Sequence, residues 1–328
     1  MFFRHLNGVA AAFSAWLALA LMATGAGAES YPSRPIKIIV PNPPGGATDT
    51  TSRIVGARLS ELLGQPVVIE NRPGSAGNFA NEVTAKSPAD GYTIMLGQDS
   101  QIVINPYLYK TSAIDPLKEF VPVASLVTTV MILTVNPSLP VKDFHDFIAY
   151  ARRANPPLPY ASIGNGSQHH LAMEMLKARA GIDLVHVPYP GSPQVNTAIL
   201  SGQVAAGFVV PATAMPLVES GRLKALAVTT SVRSVVLPEY PTLAEAGYPQ
   251  VVSTAWQGVV APAKTPKPIV ERLGRELVAI VRSDEVRDRM IRLYFQPIGS
   301  SGSGLASLMH QEVTRWGKVI RKTGATAD

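Results

Sequence analysis

The chain has 328 residues, with 29 lysines and arginines against 23 aspartates and glutamates, a formal charge of +6 and 46% hydrophobic residues. It contains no cysteine, which excludes a disulfide framework, thiol catalysis and a lipid-modified cysteine anchor together. The basic excess is scattered, with no run of bases longer than Arg152-Arg153 and few aromatics beside them, so the electrostatic stripe of a nucleic-acid binder is missing.

At the start of the chain, Arg4 precedes an apolar stretch from Val9 to Met22 and then the small residues Ala26-Gly27-Ala28. This is the layout of a secretory signal peptide, so residues 1–28 are expected to be cleaved and the mature chain to be an exported, soluble protein. About 300 residues then remain, enough for two domains of roughly 100–200 residues each.

Those residues repeat one unit: a short β-branched run, a corner of small residues and proline, and a segment of helical period. Ile36 to Val40 reads as a strand; Ile54, Val55, Leu59, Leu62 and Leu63 fall at helical spacing, with Gly64 placed to end that helix. Pro66 to Glu70 is the next strand, Asn71 to Asn78 a glycine loop, Phe79 to Lys86 a helix and Tyr92 to Leu96 a strand. A second series begins at Met131 to Val135, with helix Asp143 to Ala154, strand Tyr160 to Ser162, a corner over Ile163 to His170, and helix Leu171 to Ala180 closed by Gly181. Ile182 to Tyr189, Gln203 to Val210 and Leu223 to Thr230 supply further strands, with helices over Pro193 to Ser201 and up to Gly221 between them. Trp256 to Ala261 is strand-like, and three helical segments follow. This alternation predicts an α/β fold in two units, each a mainly parallel sheet flanked by helices. No low-complexity linker separates them, so crossing strands are expected to join them: Val123 to Val130 going out and Val251 to Trp256 coming back.

Two corners carry the chemistry. A helix start presents N–H groups without partners and about half a positive charge, so a glycine corner before it can receive an anion. In "PNPPGGATDT" (Pro41 to Thr50), Gly45 and Gly46 allow close approach and Pro41, Pro43 and Pro44 stiffen the loop. In "IGNGSQHH" (Ile163 to His170), Gly164, Asn165, Gly166 and Ser167 repeat the design. Either corner alone also reads as an ordinary turn in which Thr48, Asp49 or Ser167 caps a helix. At equivalent places in two α/β units they suggest a clamp, because ligands of open parallel sheets sit beyond the carboxyl ends of the strands.

Catalytic and metal readings have less to stand on. Ser167 follows the second glycine of its corner, so the Gly-x-Ser-x-Gly elbow is absent. His170 and Glu174 share a helical face, but no third metal ligand lies near, and neither a Walker loop nor a complete Gly-x-Gly-x-x-Gly follows any strand. An exported hydrolase or isomerase using His170 with Ser167 or Asp49 stays open as an alternative. His186 and Tyr189 read equally as core or cleft residues, and Trp256 as packing.

Ten stretches in order, "YPSRPIKIIVPNPPGGATD", "GQPVVIENRPGSAGN", "DGYTIMLG", "INPYLY", "VNPSLPV", "YASIGNGSQHHLA", "VHVPYPG", "LAVTT", "PTLAEAGYP" and "APAKTPK", carry a resemblance over nearly the whole mature chain. They resemble the Bug-type extracytoplasmic solute receptors of tripartite tricarboxylate transport systems. The resemblance implies a two-lobed periplasmic binding protein of type II, with lobe 1 formed by 29–127 and 254–328 and lobe 2 by 128–253. It implies a small organic carboxylate, a di- or tricarboxylate with aromatic acids included, as ligand, and a membrane permease as partner. It also implies a monomer without cofactor, metal or catalytic residue. The ligand-binding positions it implies are Asn42, Pro44, Gly45, Gly46, Ala47 and Asp49 in one lobe and Ser162, Asn165, Gly166, Ser167 and His170 in the other, with Asn78, Gln98, Asp99 and Val210 shaping the rest. Asp49 is expected to hold a bridging water or cap its helix while backbone N–H groups face the ligand. The chain departs from the family at Asn42, where an aromatic is usual, and at Phe208-Val209-Val210-Pro211, which leaves room for a longer aliphatic or aromatic acid. A sensor partner that presents ligand to a signalling protein would share all these features.

Overall fold

The computed structural model describes residues 31–109 and 114–323. The proposed signal peptide lies outside the described residues. The segment ending at Arg34 forms one unit, and Pro35–Asp328 a second that holds every element named here.

In the first sheet, β1 (Ile36–Val40) is followed by α1 (Ala47–Leu63), β2 (Val67–Asn71), a short 3-10 turn (Ser75–Gly77), α2 (Asn78–Ala85) and β3 (Thr93–Gln98). A π turn over Ser100–Ile104 leads into α3 (Asn105–Leu108); α4 (Pro116–Glu119) then enters the long β4 (Phe120–Val130). After the single residue Met131 the chain is already in the second sheet, in β5 (Ile132–Val135). There follow α5 (Phe144–Arg153), β6 (Leu158–Ser162), α6 (Gln168–Ala180), β7 (Leu184–Pro188), α7 (Ser192–Leu200), β8 (Ala206–Val209), α8 (Pro211–Glu219) and β9 (Lys224–Val228). The return strand β10 (Thr254–Pro262) rejoins the first sheet, and α9 (Lys267–Arg282), α10 (Asp284–Arg292), β11 (Phe295–Ser301) and α11 (Gly302–Thr323) complete it.

The six-stranded first sheet runs β11-β4-β10-β3-β1-β2 and the five-stranded second sheet β7-β6-β8-β5-β9. Only β3-β1-β2 and β7-β6-β8 are parallel; every other pairing is antiparallel, so both sheets are mixed where the alternation predicted mainly parallel ones. The cause is the double crossing. The strand that leaves (β4) and the strand that returns (β10) lie side by side, which forces them to run in opposite directions. The return crossing also differs from expectation, because residues 251–253 lie outside any strand and β10 begins at Thr254.

Each sheet is covered on both faces, as its parallel portion requires. On the second sheet, Phe144, Phe147, Tyr160, Leu176 and Phe208 fill one side and Val195, Ile199, Val209, Met215 and Leu237 the other. On the first sheet, Ile39, Met95, Val260, Trp256, Leu305 and Trp316 form one core, and α1 and α9 cover the opposite face with Ile54, Val55, Leu59, Leu273 and Leu277. Leu171 of α6, a second-sheet helix, is buried in the first-sheet core with Trp256 and Leu305. Among the described residues no helix is long and apolar enough to cross a membrane.

Candidate functional site

Both corners sit beyond the carboxyl ends of parallel strands, before α1 and α6, but they are held open differently. At the first, Gly46 occupies the N-cap position without a side-chain cap, and Gly45 turns the chain with a φ of +83°. Asp49, three residues into the helix, does not cap it in the expected way. Its Oδ2 accepts from the Gly45 N–H and from Arg53 Nε, both at 2.9 Å, and its Oδ1 from Asn71 Nδ2 at 3.0 Å. The reach back from the first turn to an N–H just before the helix is one half of a capping box. Burial raises the Asp49 pKa, but the bonds from Arg53, Gly45 and Asn71 together outweigh it and hold the carboxyl below its ordinary value.

Asn71 also donates to the Asn42 carbonyl at 3.0 Å, and Asn42 Oδ1 accepts from Thr48 Oγ1 at 2.8 Å. The Gly45 N–H is therefore engaged by Asp49. Asp49 and Asn42 instead hold the loop in shape. The donors left over are the N–H groups of Ala47, Thr48 and Asp49, for which none of the described residues supplies an acceptor. Pro44 is exposed at the corner's tip.

At the second corner, Ser167 is the N-cap, accepting from the His170 N–H at 3.3 Å and donating to the Gly164 carbonyl at 2.8 Å. The helix starts at Gln168, three residues before the expected Leu171, because the cap is Ser167. The Gly166 N–H donates to His170 Nδ1 at 3.0 Å, which places the His170 proton on Nε2 when the ring is neutral. Among the described residues nothing accepts from the N–H groups of Asn165, Gln168 and His169, and the Asn165 side chain is exposed without a partner. The His170 ring stacks on His186 at 4.1 Å, and His186 on Tyr160 at 5.0 Å. Burial lowers the pKa of His170, and takes His186 down to about 4 with help from His170. Both rings are therefore neutral near pH 7, and this corner offers an anion dipoles and N–H donors rather than a cation.

The enzyme constellation does not assemble. Ser167 Oγ bonds Gly164 and backbone, Asp49 bonds its own corner, and no hydrogen bond links the His170 ring to either among the described residues. Ser162 Oγ does meet His186 Nε2, at 2.7 Å, but Ser162 is fully buried and its oxygen is also engaged with both the N–H and the carbonyl of Gly164. Glu174 binds Tyr160 and Lys177 instead of joining His170 at a metal, and the described residues hold no group of three metal-ligating side chains.

The end of β3 lies between the corners. Gln101 accepts from the Gln98 N–H at 2.8 Å, and Gly77, where a Cβ would stand 2.3 Å from Gln101 Cγ and 3.1 Å from Pro41 Cβ, seats the glycine loop against the first corner. Asn78 is held by Asn105 at 3.0 Å. Asp99 faces the second corner: its carboxylate accepts from the Gln168 side chain, from the Ser100 N–H at 2.7 Å and from the Trp256 N–H. Burial, with Glu312 adding to it, pushes its carboxyl well up. Across the interface, Gly166 packs on Leu108 so closely that a Cβ would lie 2.1 Å from its Cδ1. Val209 points into the second-sheet core, which leaves Val210, the half-buried residue before α8, as the only valine of that pair free to shape a cleft.

Sequence reasoning missed Asn71, Arg53, Gln168, Gln101 and Asn105. Asn71 had a usable signal, since a parallel β2 beside β1 sets it opposite Val40, at the mouth of the first corner.

A family model described as a tripartite tricarboxylate transporter family receptor matches residues 51–325. Protein BugT of Bordetella pertussis is 34% identical over 322 residues, which cover 98% of this chain and 99% of BugT. The solved structure of R. palustris Rpa4515 with adipate aligns with a TM-score of 0.85 at 36% identity, over 90% of this chain and 99% of that one. MatC (Rpa3494) from Rhodopseudomonas palustris with bound malate aligns with a TM-score of 0.79 at 32% identity, over 88% of this chain and 100% of that one.

Proposed function

Because the chain belongs to the tripartite tricarboxylate transporter receptor family, we propose that it is a periplasmic binding protein that captures a small organic carboxylate and delivers it to a membrane permease. The lobes are 29–127 with 254–328 and 128–253, and the ligand lies between them. One carboxylate is received by the first-turn N–H groups of Ala47, Thr48 and Asp49 and, from the other lobe, by those of Asn165, Gln168 and His169. The observation that carries this reading is the pair of helix starts, one per sheet, each with donors lacking an acceptor among the described residues and each held open by its own side chains. Gly46, Ser162, Ser167 and His170 shape these starts; Asn78, Gln98 and Val210 line the remainder, and Asp99 acts across the interface. With neutral histidines, and with the Arg53 guanidinium paired to Asp49 at the first helix start, affinity comes from N–H groups and dipoles, directly or through water. Adipate in one relative and the apolar Val210 favour an aliphatic acid of several carbons.

The protein binds without chemistry, acts as a single chain because both helix starts belong to it, and needs no cofactor. Export follows from the leader read in residues 1–28. A thermal-shift screen over mono-, di- and tricarboxylates, aromatic ones included, tests the reading. A ligand at a hundredfold excess over its dissociation constant should stabilise the protein by about 2.7 kcal/mol and be recovered chemically unchanged. Absence of stabilisation by every acid, or appearance of a product, would reject it.

A further inference from the structure

The two sheets are joined by more than their covalent crossings. Gln168, the first residue of α6, donates its side-chain amide to Asp99 at the end of β3 and to the Thr254 carbonyl at 3.4 Å, while its Oε1 accepts from Ser253 Oγ at 3.2 Å. The Ser253 N–H donates to the Thr229 carbonyl at 3.0 Å, and Thr229 Oγ1 accepts from the Met131 N–H at 3.2 Å. One polar chain thus runs from the first sheet through α6 to both crossings. Asp99, Gln168, Ser253 and Thr229 are all buried. Leu171, one turn further along α6, is anchored in the first-sheet core, and Gly166 rests on Leu108.

The carboxyl group of Asp99 also lies at the start of α6, so one lobe supplies a hydrogen-bond acceptor to a helix start of the other. We propose that Asp99 and Gln168 form an interlobe latch, a positioning pair that sets the balance between open and closed forms and so the rate at which a captured ligand leaves. The contact consists of protein atoms alone. It therefore acts in the unliganded protein as well, unlike the N–H donors that require an anion. Its consequence for ligand release rests on the receptor reading, whereas its effect on lobe separation does not.

The chain has no cysteine, so spin labels can be placed by Lys86→Cys at the end of α2 and Lys142→Cys before α5, both exposed positions. Interlobe distances are then measured in the unliganded full chain. An ordinary buried hydrogen bond sets the expected scale: Gln168→Ala should raise the open-to-closed ratio roughly 2- to 12-fold. Gln168→Leu, which keeps the bulk of the side chain and removes its amide, should do the same. Adding Asp99→Ala to Gln168→Ala should open the protein no more than the stronger single change, because both remove the same contact. Distances unchanged from wild type in Gln168→Ala and Gln168→Leu would overturn the latch. With adipate as probe, release from Gln168→Ala should speed up by the same factor. If adipate binds neither form while the unliganded distances shift as stated, the latch stands and the failure falls on the ligand assignment.

Discussion

Substituting Gly166 separates what the second corner does for folding from what it does for closure. Gly166 has a φ of +71°, and a Cβ there would lie 2.1 Å from Leu108 Cδ1 and 3.2 Å from Cδ2 and Cγ. In Gly166→Ala the left-handed backbone costs about 1–2 kcal/mol. That strain is present whether the lobes are open or closed, so it lowers thermal stability without touching affinity. The overlap with Leu108 exists only when the corner meets the first lobe. Leu108 is 3% exposed and packed in the first-sheet core, which restricts its escape by rotation. Overpacking of this kind costs about 1–3 kcal/mol, equivalent to a dissociation constant raised roughly 5- to 150-fold. Titration calorimetry with the best acid from the screen measures it, alone and with Leu108→Ala. The double variant should recover most of the affinity, yet remain less stable, because the strain persists and the lost leucine adds a cavity. An affinity loss of equal size with and without Leu108→Ala would refute the argument that this contact belongs to the closed form.

Two further predictions concern pH and the corners. The Asp49 pKa is held below its ordinary value of 3.8 by bonds that outweigh burial, so its stabilisation is present above that value and lost as pH falls through the lower folded pKa. Asp49→Ala, which leaves the Gly45 N–H and Asn71 without their acceptor, should cost about 1–3 kcal/mol at pH 7 by urea denaturation and flatten the acid limb of the stability profile; an unchanged profile would contradict this. His169 is buried with neither ring nitrogen bonded, and burial lowers its pKa from 6.5 to about 4. Between those values the unfolded chain binds a proton that the folded one refuses, so stability is full above 6.5 and falls toward 4 by up to about 1.4 kcal/mol per pH unit. His169→Leu should remove that share, leaving the parts due to His170 and His186, and should not destabilise at pH 7; a profile equally steep with leucine would show the ring to be partnered.

Much of this fold is written locally. The β-branched runs, the helical spacing of Ile54, Val55 and Leu59, and the glycine stops at Gly64 and Gly181 mark element after element, and both glycines adopt the left-handed conformation that ends a helix. Strand direction is not local. Nothing in the period of Phe120–Val130 or Thr254–Pro262 says that they lie side by side, and that pairing makes the sheets mixed. β11 escaped notice because "FQPIGSS" carries proline and glycine like a loop; it is an edge strand whose register breaks between Pro297 and Ser300. The corners were legible as anion-receiving shapes, but the duties of their side chains were not. Asp49 faces its own loop because Asn71 arrives from β2, and Gln168 matters because Asp99 arrives from β3; both depend on which strand ends meet.

The central claim, that one carboxylate is held by two helix starts from opposite lobes, is tested most directly by amide NMR of the protein titrated with a bound acid. The account predicts that the N–H resonances of Ala47, Thr48 and Asp49 and those of Gln168 and His169 move together with a single dissociation constant. Shifts confined to one helix start, with the other unmoved at saturation, would contradict it.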